Sequence, residues 1–275
     1  GGRIALQLQH GGPQADPSVN GGQTLGPSPV ATGRDGRVPK ELHPREIKRI
    51  VQAFSDAAFR AKKAGFDGVE VHMAHGYLGC AFLSPYANQR TDAYGGDLAR
   101  RTRFACEVAQ AITRRCGPDF PVWCRVSADE MIEGGQCIDE MVKIAPMLVQ
   151  YGYCAIHVSA CIGASAQWAS APYLVPEGHL LELARAVSQA VDVPVIGVGN
   201  MRLPAGVEGA IAKGKCSAVA LGRALLADAD WCIKADNNRE DEIIPCIGCN
   251  LGCLDRRRGE AGVVECVTNP RTGYE

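Results

Sequence analysis

The chain lacks an excess of charge of either sign. Its 29 Lys and Arg stand against 30 Asp and Glu, for a net charge of −1 over 275 residues. Neither a nucleic acid nor an anionic membrane surface is therefore expected as a partner. No run reaches the roughly 18 consecutive apolar residues that a membrane span needs. No secretory leader is visible at the start, and no low-complexity tract or repeat beyond the βα unit is evident. G-x-G-x-x-G is missing too, so no dinucleotide fold is expected inside this chain. The chain opens Gly1-Gly2-Arg3 without a methionine and stops at Thr272-Gly273-Tyr274-Glu275 without a closing element, and it reads as a fragment of a longer protein.

Cysteine, by contrast, is abundant, with 13 residues. A disulfide framework belongs to small secreted chains, and this chain is neither. Cys80, Cys106, Cys116, Cys124, Cys137, Cys154, Cys161, Cys216 and Cys232 are scattered and read as reduced, small core residues. A reducing cytosol, and hence a cytoplasmic protein, fits them. Cys246, Cys249, Cys253 and Cys266 are clustered. Thiolates two and three residues apart can wrap one corner of a cubane, with a fourth returning from a loop. Gly248 and Gly252 let the backbone turn around the sulfurs. A [4Fe–4S] cluster is the expectation. A structural zinc site, which usually pairs two C-x-x-C knuckles, and plain buried thiols remain open.

Short apolar runs alternate with helix-period segments. Strands are expected at 4–9, 68–72, 121–127, 154–159, 193–198 and 216–221. Helices are expected at 44–63, 98–115, 139–150 (kinked at Pro146), 180–190, 207–213 and 223–227. Near-continuous apolar strands alternating with helices predict an α/β fold with a parallel sheet. Six strands are too few to close the usual eight, so the expectation is an incomplete (β/α)8 TIM barrel carrying a C-terminal cluster-binding segment. The expected boundary puts a partial barrel at 1–232 and the cluster-binding segment at 233–275. The polar stretch from Gly11 to Lys40 is too long for an ordinary βα turn. Long loops after strand ends are where barrel enzymes keep their chemistry.

His72, His75 and Tyr77 follow directly on the second expected strand. Two imidazoles there can hydrogen-bond a substrate oxygen, and a phenol can donate a proton. Simple packing of His72 and Tyr77 is the alternative. Gly199-Asn200 and Gly222-Arg223 follow the last two strands, where barrels build phosphate sites. Gly209 to Cys216 (GAIAKGKC) nearly matches a P-loop, but Cys replaces the metal-binding Ser or Thr, and the segment runs from helix into strand, the reverse of P-loop order.

The segment GVEVHMAHGYLGCAFLSPYANQRTDAYGGDLARRTRF, Gly68 to Phe104, closely resembles the old yellow enzyme family of NADH:flavin oxidoreductases. With the cysteine run and Thr268 to Arg271 (TNPR), the chain resembles the iron–sulfur branch that holds 2,4-dienoyl-CoA reductases, enoate reductases, trimethylamine dehydrogenase and bile-acid-modifying reductases. The resemblance implies a TIM barrel with FMN at its mouth. It implies that Gln7 contacts the flavin ring, that Arg125 lies at its N1 edge, and that Gly199, Asn200, Gly222 and Arg223 hold its phosphate. It implies that His72 and His75 bind the oxygen that activates the substrate, and that Tyr77 protonates the substrate carbon.

The function implied is NAD(P)H-linked reduction of an activated C=C bond by an FMN and [4Fe–4S] oxidoreductase, with FAD in a following domain. The partner implied is a small molecule with an activated alkene, such as an enoate, dienoyl-CoA or enone. An electron-transfer module or an amine dehydrogenase on the same barrel is the alternative, and a phosphate-binding barrel isomerase or aldolase a weaker one. Two departures from the family are Pro13, where many members carry arginine, and His75, which is acidic in some dienoyl-CoA reductases. The loop from Gly163 to Pro176, with Trp168 and Tyr173, is expected to shape the substrate pocket.

Overall fold

The computed structural model describes residues 2–18, 21–33, 35–256 and 262–274. It divides into two compact units. The first comprises Gly1–Ala169 with Ala186–Val195, and the second Ser170–Arg185 with Ile196–Glu275.

The first unit contains four parallel strands, β1 (Ala5–Leu8), β2 (Gly68–Met73), β3 (Val122–Ser127) and β4 (Ile156–Ser159), paired in that order. Every residue of β2 is buried. Its apolar residues Val69, Val71 and Met73 alternate with Glu70 and His72, so the two polar side chains share the opposite face. In register, Gln7 lies beside Glu70, and Glu70 beside Trp123. One level further on, His72 lies beside Arg125 and Arg125 beside His157.

Helices α1 (Pro44–Lys63), α2 (Leu78–Leu83), α3 (Leu98–Cys116) and α4 (Ile138–Gln150) connect these strands. Helix α1 starts at a capping box. The His43 ring accepts from Arg45 N at 3.3 Å, and Glu46 accepts from His43 N at 2.7 Å. Its stripe Ile47, Val51, Phe54 and Ala58 is buried, and Ile50 is half-buried. Helix α3 buries Ala105, Val108, Ala109 and Ile112, and Phe104 stacks on Phe82 with ring centroids 4.5 Å apart. Each such large side chain contributes about 1.5–3 kcal/mol on burial.

Local structure forms among the described residues of the stretch from Gly11 to Lys40. Gly12–Gln14 forms a 3-10 turn, and Leu25–Gly26 pairs in parallel with Lys40–Glu41. The buried Arg90 guanidinium ties it down by donating to Pro27 O and Leu42 O, each at 2.8 Å.

Helix α5 (Leu181–Ser188) and strand β5 (Val195–Gly197) carry the chain from one unit into the other. In the second unit β5 pairs in parallel with β6 (Ala218–Val219). Helices α6 (Pro204–Ala212), α7 (Arg223–Ala227) and α8 (Trp231–Asp236) follow. Ala224, Trp231 and Ile243 form its small core, with Val207 and Leu221 packed against it. Among the described residues no helix is long and apolar enough to cross a membrane.

The α/β class and six parallel strands are those expected. Some details differ. The last two strands are shorter than their apolar runs, with ladder pairing between them at Ile196–Gly197 and Ala218–Val219. Helix α4 spans Ile138–Gln150 as one element, with Pro146 inside it. Helices α2 and α8 were not foreseen: each is six residues long, too short to show a helical period. The scattered cysteines are not all core residues. Cys137, Cys154 and Cys232 are exposed, since they fall at a helix cap, before a strand and on a surface helix. Among the described residues all thirteen cysteines are free.

Candidate active site

Strand β2 delivers His72 at its penultimate position, and the chain then turns sharply. His75 sits at φ 61 and Gly76 at φ 78, both in the left-handed region. A non-glycine residue there is uncommon. Ser127 at the end of β3 holds the turn: His75 N donates to Ser127 Oγ at 2.9 Å, and Ser127 Oγ donates to Cys161 O at 2.7 Å. Tyr77 then caps α2, with its ring 5.1 Å from that of His72. So His72, His75 and Tyr77 are brought together as the sequence suggested.

The two imidazoles are not equivalent. His75 Nδ1 lies 3.2 Å from His72 Nε2, and His75 Nε2 lies 2.8 Å from Ser159 Oγ. Both His75 nitrogens are therefore used. His72 Nδ1 is buried without a partner. Burial pushes the His72 imidazole down to about 4, with the Arg125 cation adding to the effect. Burial also holds His75 well below its ordinary value. Both rings are neutral near pH 7. Two proton assignments satisfy these contacts: if Ser159 donates to His75, then His75 Nδ1–H donates to His72 Nε2 and His72 Nδ1 carries an unpartnered N–H, whereas in the reverse relay His72 Nδ1 is an unpartnered acceptor.

The register neighbours of His72 carry further unpartnered nitrogens. Arg125 Nε and His157 Nε2 are both buried with no partner. One level below, Glu70 accepts from Trp123 Nε1 at 2.9 Å, from His157 Nδ1 at 2.8 Å and from Gln7 Nε2. Burial alone raises the Glu70 carboxyl, but the His157 imidazole and the Gln7 and Trp123 donors outweigh it and hold the group at about 2. The Gln7 amide is thereby fixed with its nitrogen toward Glu70. The sequence analysis missed Glu70, Trp123, His157 and Ser159. Their signal was present: polar or large residues two apart within apolar strands, in step with His72 and Arg125.

In the second unit the glycine loops meet the cysteine run. Asn200 adopts φ 57 and Gly199 φ 143, and a Cβ on Gly199 would stand 3.0 Å from Leu180 N. Arg223 donates to Asn200 Oδ1 at 3.0 Å and to Asn250 Oδ1 at 2.6 Å. Asn250, at φ 62, lies inside the cysteine run and also donates to Ser170 O at 2.7 Å. Gly222 precedes Arg223 and is exposed, with no atom near where a Cβ would sit.

Cys246, Cys249, Cys253 and Cys266 all line one hollow, together with Arg223. Gly248, at φ 67, donates its N–H to Cys246 Sγ at 3.4 Å, and a side chain there would strike the Tyr173 backbone. Among the described residues no three His, Cys, Asp or Glu side chains converge closely enough to hold a single metal ion.

Residues 1–242 match the model of the NADH:flavin oxidoreductase / NADH oxidase family. The chain belongs to this family. The family's "NADH oxidase" of Thermoanaerobacter brockii is 43% identical over 276 residues, covering 100% of this chain and 42% of that protein. The "cinnamate reductase" of Clostridium sporogenes is 39% identical over 292 residues, covering 100% of this chain and 44% of that protein. The chain thus spans less than half the length of these relatives. Among solved structures, a 2-naphthoyl-CoA reductase complex superposes with a TM-score of 0.91 at 29% identity, covering 98% of this chain and 43% of that one. The incomplete (β/α)8 barrel expected from the strand and helix order is the fold class that this chain shares with such family members.

Proposed function

We propose that this chain is the flavin- and substrate-binding part of an NAD(P)H-dependent oxidoreductase that reduces an activated C=C bond, with FMN and a [4Fe–4S] cluster as its cofactors. The observation that carries the reading is the His72 Nδ1 atom, buried and unpartnered, with Tyr77 beside it and Arg125 in register.

The residues fit a flavin. Buried polar atoms are nearly always hydrogen-bonded, so the unpartnered nitrogens of Arg125 and His72 on one face call for an acceptor-rich ligand. Arg125 and Gln7 would face the ring, and Gly199, Asn200, Gly222 and Arg223 are the residues assigned to the phosphate. When bound, FMN supplies the hydride that goes to the substrate β-carbon.

The chain's own groups do the rest. His72 Nδ1–H polarises the substrate's carbonyl or carboxylate oxygen and withdraws charge from the alkene. His75 and Ser159 hold that proton on the outward nitrogen. The Tyr77 hydroxyl hands a proton to the α-carbon. Arg125 offsets negative charge developing on the same face.

The cysteine run is read as the holder of a polynuclear cluster: four thiols line one hollow, three of them spaced to wrap one corner of a cubane. Cys246, Cys249, Cys253 and Cys266 are the ligands we assign, and the N–H of Gly248 to Cys246 sulfur is the kind of contact that tunes such a centre. We place the functional boundary near residue 232, with the cluster-binding segment after it. Thirteen free thiols suit a reducing, cytoplasmic setting.

The test is turnover by the full-length protein under anaerobic conditions with NADH or NADPH. Alkene reduction on an enoate, an enone or an enoyl thioester supports the proposal. Oxidation of amines with no alkene reduction moves it to a dehydrogenase, and inactivity on all of these with flavin bound removes it.

A further inference from the structure

We propose that Glu70 and His157 form a buried proton-accepting dyad, and that His157 takes up a proton on Nε2 when negative charge is placed against the Arg125 face. The proposal rests on the flavin reading above and adds residues to it.

The geometry is specific. Glu70 on β2 is 9% exposed and His157 on β4 is 7% exposed. Glu70 Oε1 lies 2.8 Å from His157 Nδ1 and 2.9 Å from Trp123 Nε1, and the carboxylate also takes Gln7 Nε2. A carboxylate with three donors stays ionised. The imidazole must therefore carry its proton on Nδ1, which leaves Nε2 a bare lone pair. That atom is buried and has no partner. Leaving a buried polar atom unmatched is costly, so its persistence points to a role with a ligand or a proton.

Its surroundings say which. The groups facing His157 are Glu70 and His72 from β2, His75 from the turn after β2, and Arg125 from β3. At rest the ionised Glu70 and Arg125 balance. Burial and the Arg125 cation hold His157 below its ordinary value, against the pull of Glu70. An anion set against Arg125 cancels that cation and leaves the Glu70 charge uncompensated. A proton from solvent on His157 Nε2 restores the balance. One N–H bond forms and no other bond changes. Bound FMN, once reduced by a nicotinamide, would supply that negative charge.

The test uses the full-length protein labelled with 15N-histidine, with His157 assigned by its loss in His157→Asn. In the oxidised protein at pH 7 the expected spectrum has Nδ1 protonated and Nε2 bare. After two-electron reduction of bound FMN, both nitrogens should be protonated. Potentiometry supplies a second readout: the flavin midpoint should fall with pH in the wild type, with a shallower slope in Glu70→Gln and His157→Asn. A His157 that carries its proton on Nε2 from the outset, or that stays neutral on reduction, overturns the dyad. If titration with FMN shows no binding, the flavin reading has failed. The dyad is then judged on the flavin-free protein by the same tautomer, with an Nε2 proton overturning it and an Nδ1 proton supporting it.

Discussion

On the strands of the first unit, the candidate site is set by register. His72, Arg125 and His157 stand side by side because β2, β3 and β4 pair in parallel, and Glu70 and Trp123 stand side by side one level below. In the cysteine run of the second unit there is no ladder. Positions come from left-handed turns at Gly248 and Asn250 and from a few contacts of Arg223, and the thiols are half-buried. The first arrangement is held by burial and would persist with nothing bound. The second would depend on the cluster proposed for its thiols. Substitutions on the strands should therefore change stability and chemistry together, whereas substitutions in the cysteine run should change cofactor content alone.

The sharpest way to break that contrast is Cys249→Ser. A hydroxyl is a poor substitute for a thiolate ligand, so iron should be lost completely while flavin content stays at the wild-type level. Iron analysis and flavin absorbance read both, and full retention of iron contradicts the ligand assignment. Next is Tyr77→Phe, which removes the proton donor and keeps the ring. Alkene reduction should fall by about 10²–10⁴-fold with flavin reduction by NAD(P)H unchanged. No change would favour an electron relay over a reductase.

Glu70→Gln should destabilise the protein by about 1.5–3 kcal/mol, since it replaces a buried carboxylate that accepts from three donors with an amide that cannot accept from all of them. Chemical denaturation measures this, and a change below about 0.5 kcal/mol would mean that the network is not holding the strands. Ser159→Ala should have the smallest effect, about tenfold on kcat/KM, because it frees His75 without removing a ligand contact.

The pH dependence separates the same groups. His72 falls from an ordinary 6.5 to about 4 on folding, so its contribution is fully present above 6.5 and is lost as pH falls toward 4. Glu70 falls from 4.5 to about 2, so its contribution is present above 4.5 and is lost as pH falls toward 2. Thermal melts should decline through both windows in the wild type, and Glu70→Gln should lack the lower one. A melting temperature flat from pH 7 to pH 2 contradicts the buried network.

Much of this was legible in the chain. The strand and helix order followed from apolar runs and periodic stripes, and H-x-x-H-x-Y could be placed at a strand end because GVEVH is so evidently a buried strand. What stayed hidden was pairing. That His75 spends both nitrogens on His72 and Ser159 follows from a left-handed turn no pattern announces. That Glu70 joins His157, 87 residues away, depends on which strands are neighbours. Arg223 was assigned to a phosphate, yet its reach to Asn250 inside the cysteine run is a long-range contact that a local motif does not carry.

The most direct test of the central claim is the cofactor content of the anaerobically purified full-length protein. The account predicts one FMN, with about four irons and matching acid-labile sulfide per chain. FMN without iron would contradict the cluster assignment, and a protein with neither cofactor would contradict the account as a whole.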